Sequence, residues 1–201
     1  MKEIKEYTLD LRKIKFNDNL LDISGDNYGI IYSLLKANYD EVSVDYVESQ
    51  EEKCEKELYN NAALFFKFST IKSSRGRKEL LKEISDSLYN DGEIYIWDYN
   101  KRYRENFYGK IICIISEETN KEFLIKDSNL IKALDERDIL NAMNSDFDIL
   151  DLQHNDEIFF IKAKKKGRKT YEDITSGDKL KIYSQQPGYK IFKRIYKGFK
   201  S

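Results

Sequence analysis

The sequence predicts an α/β fold in which helices cover both faces of a mostly parallel sheet and an antiparallel strand pair completes the C-terminal side. Two observations predict this fold. Between residues 19 and 98, short apolar runs alternate with segments whose apolar residues recur at helical spacing. After residue 146, two further apolar runs flank a short polar turn. Alternating strands and helices favour right-handed crossovers between parallel strands, whereas a short turn joins antiparallel strands.

The first strand–helix–strand unit begins at residue 19. Residues 19–24 are predicted to form a short buried strand, and residues 25–27 form a turn rich in Gly, Asp and Asn. From Tyr28 onward the apolar residues lie at helical spacing as far as Asn38. Residues 41–45 are predicted to form the second strand.

The next unit contains a third apolar run, a helix and another strand. Residues 48–60 are rich in Glu and Lys, which indicates a solvated helix or loop, and residues 62–68 form the apolar run. Residues 78–89 have one apolar helical face and follow Ser73 and Ser74, two candidate N-caps. An Asn-Asp-Gly turn then leads into a strand over residues 93–98.

The second half of the chain favours antiparallel pairing. Residues 110–116 and 122–126 are predicted to form a hairpin, and residues 135–143 a helix. Residues 147–152 and 158–163 are the two strands around the polar turn. Residues 1–18 form a short helix or strand that covers an edge of the sheet. We find no internal repeat.

Composition excludes several classes of site. The chain has 201 residues, enough for one domain with a sizeable core. Its two cysteines, Cys54 and Cys113, are far apart, which favours a reducing compartment over a disulfide framework. The single histidine, His154, argues against histidine-based metal sites and serine–histidine catalysis. Without a signal-peptide pattern or a run of about 18 apolar residues, we expect a cytoplasmic protein.

The charge is unevenly distributed along the chain. Residues 164–201 contain 12 Lys and Arg against 3 Asp and Glu, a net charge of +9, whereas the remainder contains 23 against 33, a net charge of −10. This predicts a division into a body of residues 1–165 and a basic, aromatic-rich extension of residues 166–201. The extension suits nucleic acid, docking on its own acidic body or on a protein partner, or a membrane surface. Phe192, Ile195, Tyr196 and Phe199 also fit one helical face.

Three sequence segments resemble a known family. Residues 20–29, with the sequence LDISGDNYG after Leu20, resemble the first motif of class I S-adenosylmethionine-dependent methyltransferases. The helix, turn and strand of residues 80–98 are similar to the helix, turn and fifth strand of that family, and residues 147–163 resemble its closing strand pair. The resemblance covers roughly residues 15–165 and implies a Rossmann-like three-layer sandwich.

The resemblance also implies site residues. The residues that correspond to the cofactor site are Asp22, Ser24, Gly25, Asp26, Tyr28, Asp45 and Phe68, with Asp45 at the position that holds the ribose hydroxyls. The residues that correspond to the mouth of the substrate site are Asp98, Tyr99 and Asn100. No catalytic base is indicated, because methyl transfer depends chiefly on the alignment of two reactants.

Two departures from the family pattern leave the function open. Ser24, Asp26 and Tyr28 align where the family usually has three glycines, and the segment from Asp45 to Ala62 is short. One reading is a methyltransferase with an unidentified acceptor. The alternative is a non-catalytic module that has lost the cofactor and engages a protein or nucleic acid. A nicotinamide-dependent oxidoreductase ranks last, because the chain has no G-x-G-x-x-G turn.

Overall fold

A computed structural model describes residues 4–17, 19–24, 29–39 and 58–167, together with the backbone of residues 41–47 and 193–199. The strands are β1 (Lys5–Asp10), β2 (Asn19–Asp22), β3 (Glu41–Val47), β4 (Tyr59–Phe65), β5 (Leu88–Tyr99), β6 (Phe107–Ile114), β7 (Asn120–Asp127), β8 (Phe147–Asn155), β9 (Ile158–Lys165) and β10 (Lys193–Phe199). The helices are α1 (Ile30–Asn38), α2 (Ser74–Ser87) and α3 (Glu136–Met143), with a 3-10 helix at Phe68–Thr70.

Seven strands form the central sheet, in the order β3-β10-β2-β4-β5-β9-β8. Strands β2, β4 and β5 are parallel to one another. The other four neighbouring pairs are antiparallel. The α/β class and the C-terminal antiparallel pair are therefore confirmed, whereas the sheet is mixed and not clearly the mostly parallel one expected. The reason lies in β10 and β9, which each run against both of their neighbours.

The two faces of this sheet are covered differently. Helices α2 and α3 pack on one face, through residues such as Leu80, Ile84 and Ile139. The other face is covered by α1 and by a second sheet, of order β1-β6-β7. A sheet replaces helices there because residues 107–114 alternate between buried and partly buried positions, the period-2 pattern of a strand.

The second sheet contains the predicted hairpin. Strands β6 and β7 pair antiparallel from Phe107 with Asp127 to Ile114 with Asn120, which confirms the hairpin. The N-terminal segment is a strand, β1, which pairs parallel with β6. It therefore joins the second sheet and does not extend the central one.

Local signals located the three helices with small errors at their ends: α2, predicted over residues 78–89, begins four residues earlier and ends two residues earlier. The Ser73 hydroxyl caps α2 by accepting from the Gly76 N–H at 3.0 Å. Asp135 caps α3 by accepting from the Arg137 N–H at 2.9 Å. The predicted turn at residues 90–92 is a bulge inside β5, where the pairing with β4 passes directly from Leu88 to Glu93 and Asp91 has a φ of 66°.

The end of the chain returns to the central sheet. Residues 193–199 form β10, which pairs antiparallel with β2 on one side and with β3 on the other. The helical interpretation of this segment was therefore wrong. The pairing joins the last part of the predicted extension to the sheet of the body, as the interpretation of docking on its own body requires, while residues 168–192 lie outside the described residues.

Candidate functional site

The candidate site is the edge of the sheet at the carboxyl ends of β2 and β4, where the topology predicts a crevice. Helix α1, which follows β2, packs on one face of the sheet, and α2, which follows β4, packs on the other. Where neighbouring parallel strands send the chain to opposite faces, a crevice opens beyond their carboxyl ends. The ends of β2, β4 and β5 bring the neighbourhoods of Asp22, Phe68 and Asp98 to this one edge of the sheet.

Asp22 fixes the path of the chain as it leaves β2. Its side chain is buried, with 6% of the residue exposed. Its Oδ1 accepts from the backbone N–H of Ser24 at 3.0 Å and also from the Ser24 hydroxyl. A carboxylate that bonds two residues ahead in this way sets up a turn. The structure thus brings Asp22 and Ser24 together, and Ser24 stays partly exposed at the crevice.

Gly29 starts α1 at the same edge. Its φ of 63° is in the left-handed region, which glycine adopts without steric cost. Its carbonyl accepts from the Ser33 hydroxyl at 2.8 Å and from Nζ of Lys121 at 3.4 Å. Lys121 belongs to β7, so the second sheet adds a cation that the sequence did not suggest. Gly25, Asp26 and Tyr28 lie outside the described residues.

Asp45 is not brought next to Asp22. Strand β10 lies between β2 and β3, so two strand spacings, about 10 Å, separate the two backbones. In register, Asp45 is opposite Ile195, which is in turn opposite Leu21. The sequence could not foresee this separation, because it arises from a strand that comes some 150 residues later in the chain.

Phe68 and Asp98 are completely buried. Phe68 packs in the core between the sheet and the α2 face. Asp98 accepts from the backbone N–H of Ser69 and from that of Tyr99, each at 3.0 Å. Burial raises the pKa of Asp98 to about 6, and the bonds from Ser69 and Tyr99 oppose this rise. Both residues hold the end of β5 against the segment after β4, and neither has surface that a ligand reaches in this structure.

Tyr99 and Asn100 are also held by internal bonds. The Tyr99 hydroxyl donates to Asp127 Oδ2 at 2.8 Å, and its ring stacks on Phe107 with centroids 3.9 Å apart. Burial, followed by the bond to Asp127, raises the pKa of Tyr99. Asn100 accepts from the backbone N–H of Glu136 at 2.8 Å, at the start of α3. Of the three residues Asp98, Tyr99 and Asn100, Asn100 is the one that is partly exposed.

Asp127 is the centre of a buried ionic cluster that the sequence analysis missed. The ammonium groups of Lys101 and Lys132 each lie 2.8 Å from its carboxylate. Burial alone would raise the pKa of Asp127, but the bonds from the two lysines lower it overall. Lys132 also donates to the carbonyl of Ser69. A signal existed in the sequence, because Asp127-Ser-Asn129 is a turn pattern, and Asp127 Oδ1 accepts from the Asn129 N–H at 3.0 Å.

Arg77 completes the anchoring of the same loop. Its Nη2 donates to the carbonyls of Ile71 and Ala133, each at 3.0 Å. Within the described part of the chain its buried Nε has no partner, and burial lowers its pKa. Backbone bonds between Lys101 and Leu134 add to this anchoring. Residues 127–134 therefore lie fixed over the ends of β4 and β5, and the partly exposed groups of the crevice are at the end of β2.

No family model and no curated protein matches the chain. Solved structures of S-adenosylmethionine-dependent methyltransferases do match. One from Methanosarcina mazei is 13% identical, with a TM-score of 0.41, and the match covers 59% of this chain and 64% of that one. Another, from Mesorhizobium loti, is 10% identical, with a TM-score of 0.39 and coverage of 57% and 66%.

A third neighbour has a named reaction. It is the 1,6-didemethyltoxoflavin-N1-methyltransferase of Burkholderia thailandensis, solved with S-adenosylhomocysteine, which is 12% identical with a TM-score of 0.35. The match covers 59% of this chain and 47% of that one. The chain thus spans less than two thirds of the length of each of these three structures. Among the described residues, no helix is long and apolar enough to span a membrane.

Proposed function

We propose that the protein is an S-adenosylmethionine-dependent methyltransferase whose acceptor is not yet identified. The observation that carries the proposal is the crevice between β2 and β4. Helices leave these two parallel strands toward opposite faces of the sheet, and the buried Asp22 holds the turn at its lip. Crevices of this type bind nucleotide-like cofactors in α/β proteins.

The residues at the end of β2 fit the amino-acid part of such a cofactor. Asp22 supplies a carboxylate for an ammonium group, and the partly exposed Ser24 supplies a hydroxyl. Lys121, next to the carbonyl of Gly29, supplies a cation for a carboxylate. Gly25, Asp26 and Tyr28 belong to the same turn in sequence and complete the proposed cofactor set together with Asp45, whose carboxylate is proposed for the ribose.

The remaining residues of the expected set are assigned different roles according to their burial. Phe68, Asp98 and Tyr99 are buried in the described structure, so we assign them a positioning role beneath the site. Asn100 is partly exposed and is proposed to face the acceptor. The cofactor, when bound, supplies an activated methyl group. The protein's part is to hold the two reactants in line, which needs no dedicated base.

Calorimetric titration with S-adenosylmethionine and S-adenosylhomocysteine tests the proposal. We expect saturable binding by the wild type and a loss of at least about tenfold, or 1.4 kcal/mol, in an Asp45→Ala variant and in a Lys121→Gln variant. Lys126→Gln is the matched control, because Lys126 is also on β7 but is exposed on its outer side. Binding that survives both the Asp45→Ala and the Lys121→Gln change would place the cofactor elsewhere.

A wild type that binds neither compound at millimolar concentration would support the alternative, a methyltransferase-like module without cofactor. If binding is seen, the acceptor search begins with RNA, because residues 164–201 combine a net charge of +9 with interleaved aromatic residues.

A further inference from the structure

A second concave site lies away from the crevice. It is a cavity of about 710 Å³ between the N-terminal segment of residues 8–15 and the face of the sheet formed by β5, β9 and β8. The second sheet and α1 cover this face over the neighbouring strands. Over β9 and β8 the segment of residues 8–15 overhangs it, and the cavity opens beneath this segment.

Aromatic side chains form the floor of the cavity. Trp97 of β5 is opposite Phe160 of β9 in the strand register, and their ring centroids are 4.9 Å apart. The ring of Tyr95 lies beside that of Trp97, with centroids 6.2 Å apart and an angle of 15° between the planes. Ile158 extends this floor toward the carboxyl end of β5. Of these rings Phe160 is the most exposed, at 8% against 2% for Trp97 and 3% for Tyr95, so a flat ligand ring would meet the floor chiefly at Phe160.

The charged groups of the rim are not balanced. Asp10 is paired with Arg12 at 2.6 Å, and Lys162 is paired with Glu93 at 3.1 Å. Lys13 and Lys15 are exposed and form no ion pair within the described residues. On the opposite side of the cavity, Asp151 accepts a hydrogen bond from Gln153 at 2.6 Å. His154, which also lines the cavity, is paired with Glu136. The lining thus contains three lysines against two aspartates, a net charge of +1, which favours an anionic ligand.

We propose that this cavity binds a flat aromatic anion, with its ring against Phe160, next to Trp97, and its charged group at Lys13 and Lys15. The inference does not rest on the proposed methyltransferase activity, because it uses none of the residues of the crevice. A ring buried on the aromatic floor gains hydrophobic free energy. Carboxylate, sulfonate and phosphate all satisfy the two lysines, so the class is defined by a ring and an anionic group.

The chain contains its own reporter for this site. Trp97 is the one tryptophan in the sequence, so its indole N–H gives a single resolved signal in a proton–nitrogen correlation spectrum. We would titrate the full chain with naphthalene-2-carboxylate and, as its neutral counterpart, with naphthalene-2-carboxamide. We expect the carboxylate to shift the Trp97 signal in a saturable way and the amide to bind at least about tenfold more weakly.

A double variant and a control variant distinguish the contribution of the ligand's charge to binding from that of its ring. A Lys13→Gln/Lys15→Gln double variant should weaken binding of the carboxylate by about tenfold and leave that of the amide unchanged. Lys126→Gln, on the outer side of β7, should change neither. Equal binding of the two compounds to the wild type, or a Trp97 signal that neither moves at millimolar concentration, would overturn the proposal. Saturation with S-adenosylmethionine should leave the titration unchanged, since the two sites are separate.

Discussion

Nζ of Lys101 lies 2.8 Å from Oδ1 of Asp127, and only 1% and 9% of the two side chains is exposed. Tyr99 and Lys132 bond to the same carboxylate. Four polar groups from the ends of β5 and β7 and from the following loop therefore bond to one another. A buried ion pair adds little stability over an apolar core, but removing one partner leaves the other charge uncompensated.

Asp127→Asn should accordingly destabilise the protein strongly. It removes the negative charge that faces Lys101 and Lys132 while preserving the size of the side chain. We expect the free energy of unfolding to fall by about 3 kcal/mol, as measured by urea denaturation. The matched control is Glu122→Gln, which removes one of the two carboxylate partners of Lys110 at the surface and should cost less than about 1 kcal/mol. Equal effects of the two changes would contradict the buried cluster.

Asp98 should make stability depend on pH in an unusual direction. Its pKa is raised by burial to about 6, so the folded state holds the proton more tightly than the unfolded state does. The unfolding free energy that it contributes is therefore greatest below about pH 4 and is lost as the pH rises to about 6, by up to about 1.4 kcal/mol per pH unit. Carboxylates with lowered pKa values, such as Asp127 and Glu157, act in the opposite sense at lower pH.

An Asp98→Asn variant isolates that contribution. Its amide oxygen can still accept from the Ser69 N–H, but it does not titrate. We expect the difference in unfolding free energy, wild type minus variant, to decrease between about pH 4 and pH 6. Urea denaturation at several pH values measures it. A difference that stays constant, or that increases with pH, would show that the folded-state pKa of Asp98 is not raised.

Cys113 should be unreactive while the protein is folded. Its thiol is fully buried in the core, and burial raises its pKa to about 12, so almost no thiolate forms near neutral pH. In a Cys54→Ser variant, which leaves Cys113 as the one thiol, iodoacetamide should label the protein in denaturant and not in native buffer. Rapid native labelling, followed by mass spectrometry, would contradict this placement of β6.

Ile195→Pro tests whether the end of the chain belongs to the sheet. Residue 195 lies in the middle of β10, between β2 and β3, where proline would remove a backbone donor and disrupt the ladder. Since β3 pairs with β10 and with no other described strand, we expect the amides of residues 42–46 to lose hydrogen-exchange protection. Ile195→Val keeps the donor and should retain protection. Unchanged exchange in the proline variant would mean that residues 193–199 do not hold β3 in the sheet. The basic segment would then be available to another partner.

Local signals predicted the elements that depend on neighbouring residues. The Ser73 cap, the apolar face of α2 and the strands around residues 155–157 were correctly located, because their causes lie within a few positions of one another. The bulge at Asp91 shows the limit of such signals. The Asn-Asp-Gly pattern correctly indicated an irregular backbone, but whether the chain reverses there or continues as a strand depends on β4 beside it.

The strand-end positions of the candidate residues were predictable, and their bonding partners were not. Asp22 and Ser24 lie together at a strand end, as the motif of residues 20–29 suggests. The chemistry of Asp98 and Tyr99 could not be inferred, since their partners, Ser69 and Asp127, are about 30 residues away in the chain. The sequence marks a polar residue at a strand end, but burial decides whether it meets a ligand or another side chain.

The sequence by itself determined the α/β class, the three helices, the Ser73 cap of α2 and the two antiparallel hairpins, because periodicity and capping are local properties of the chain. The tertiary structure alone decided that β10 separates β3 from β2, that a second sheet replaces helices on one face, and that Lys101 and Lys132 converge on Asp127. These features depend on which distant segments form backbone hydrogen bonds and ion pairs with each other. The spacing of residues along the chain does not indicate those pairings.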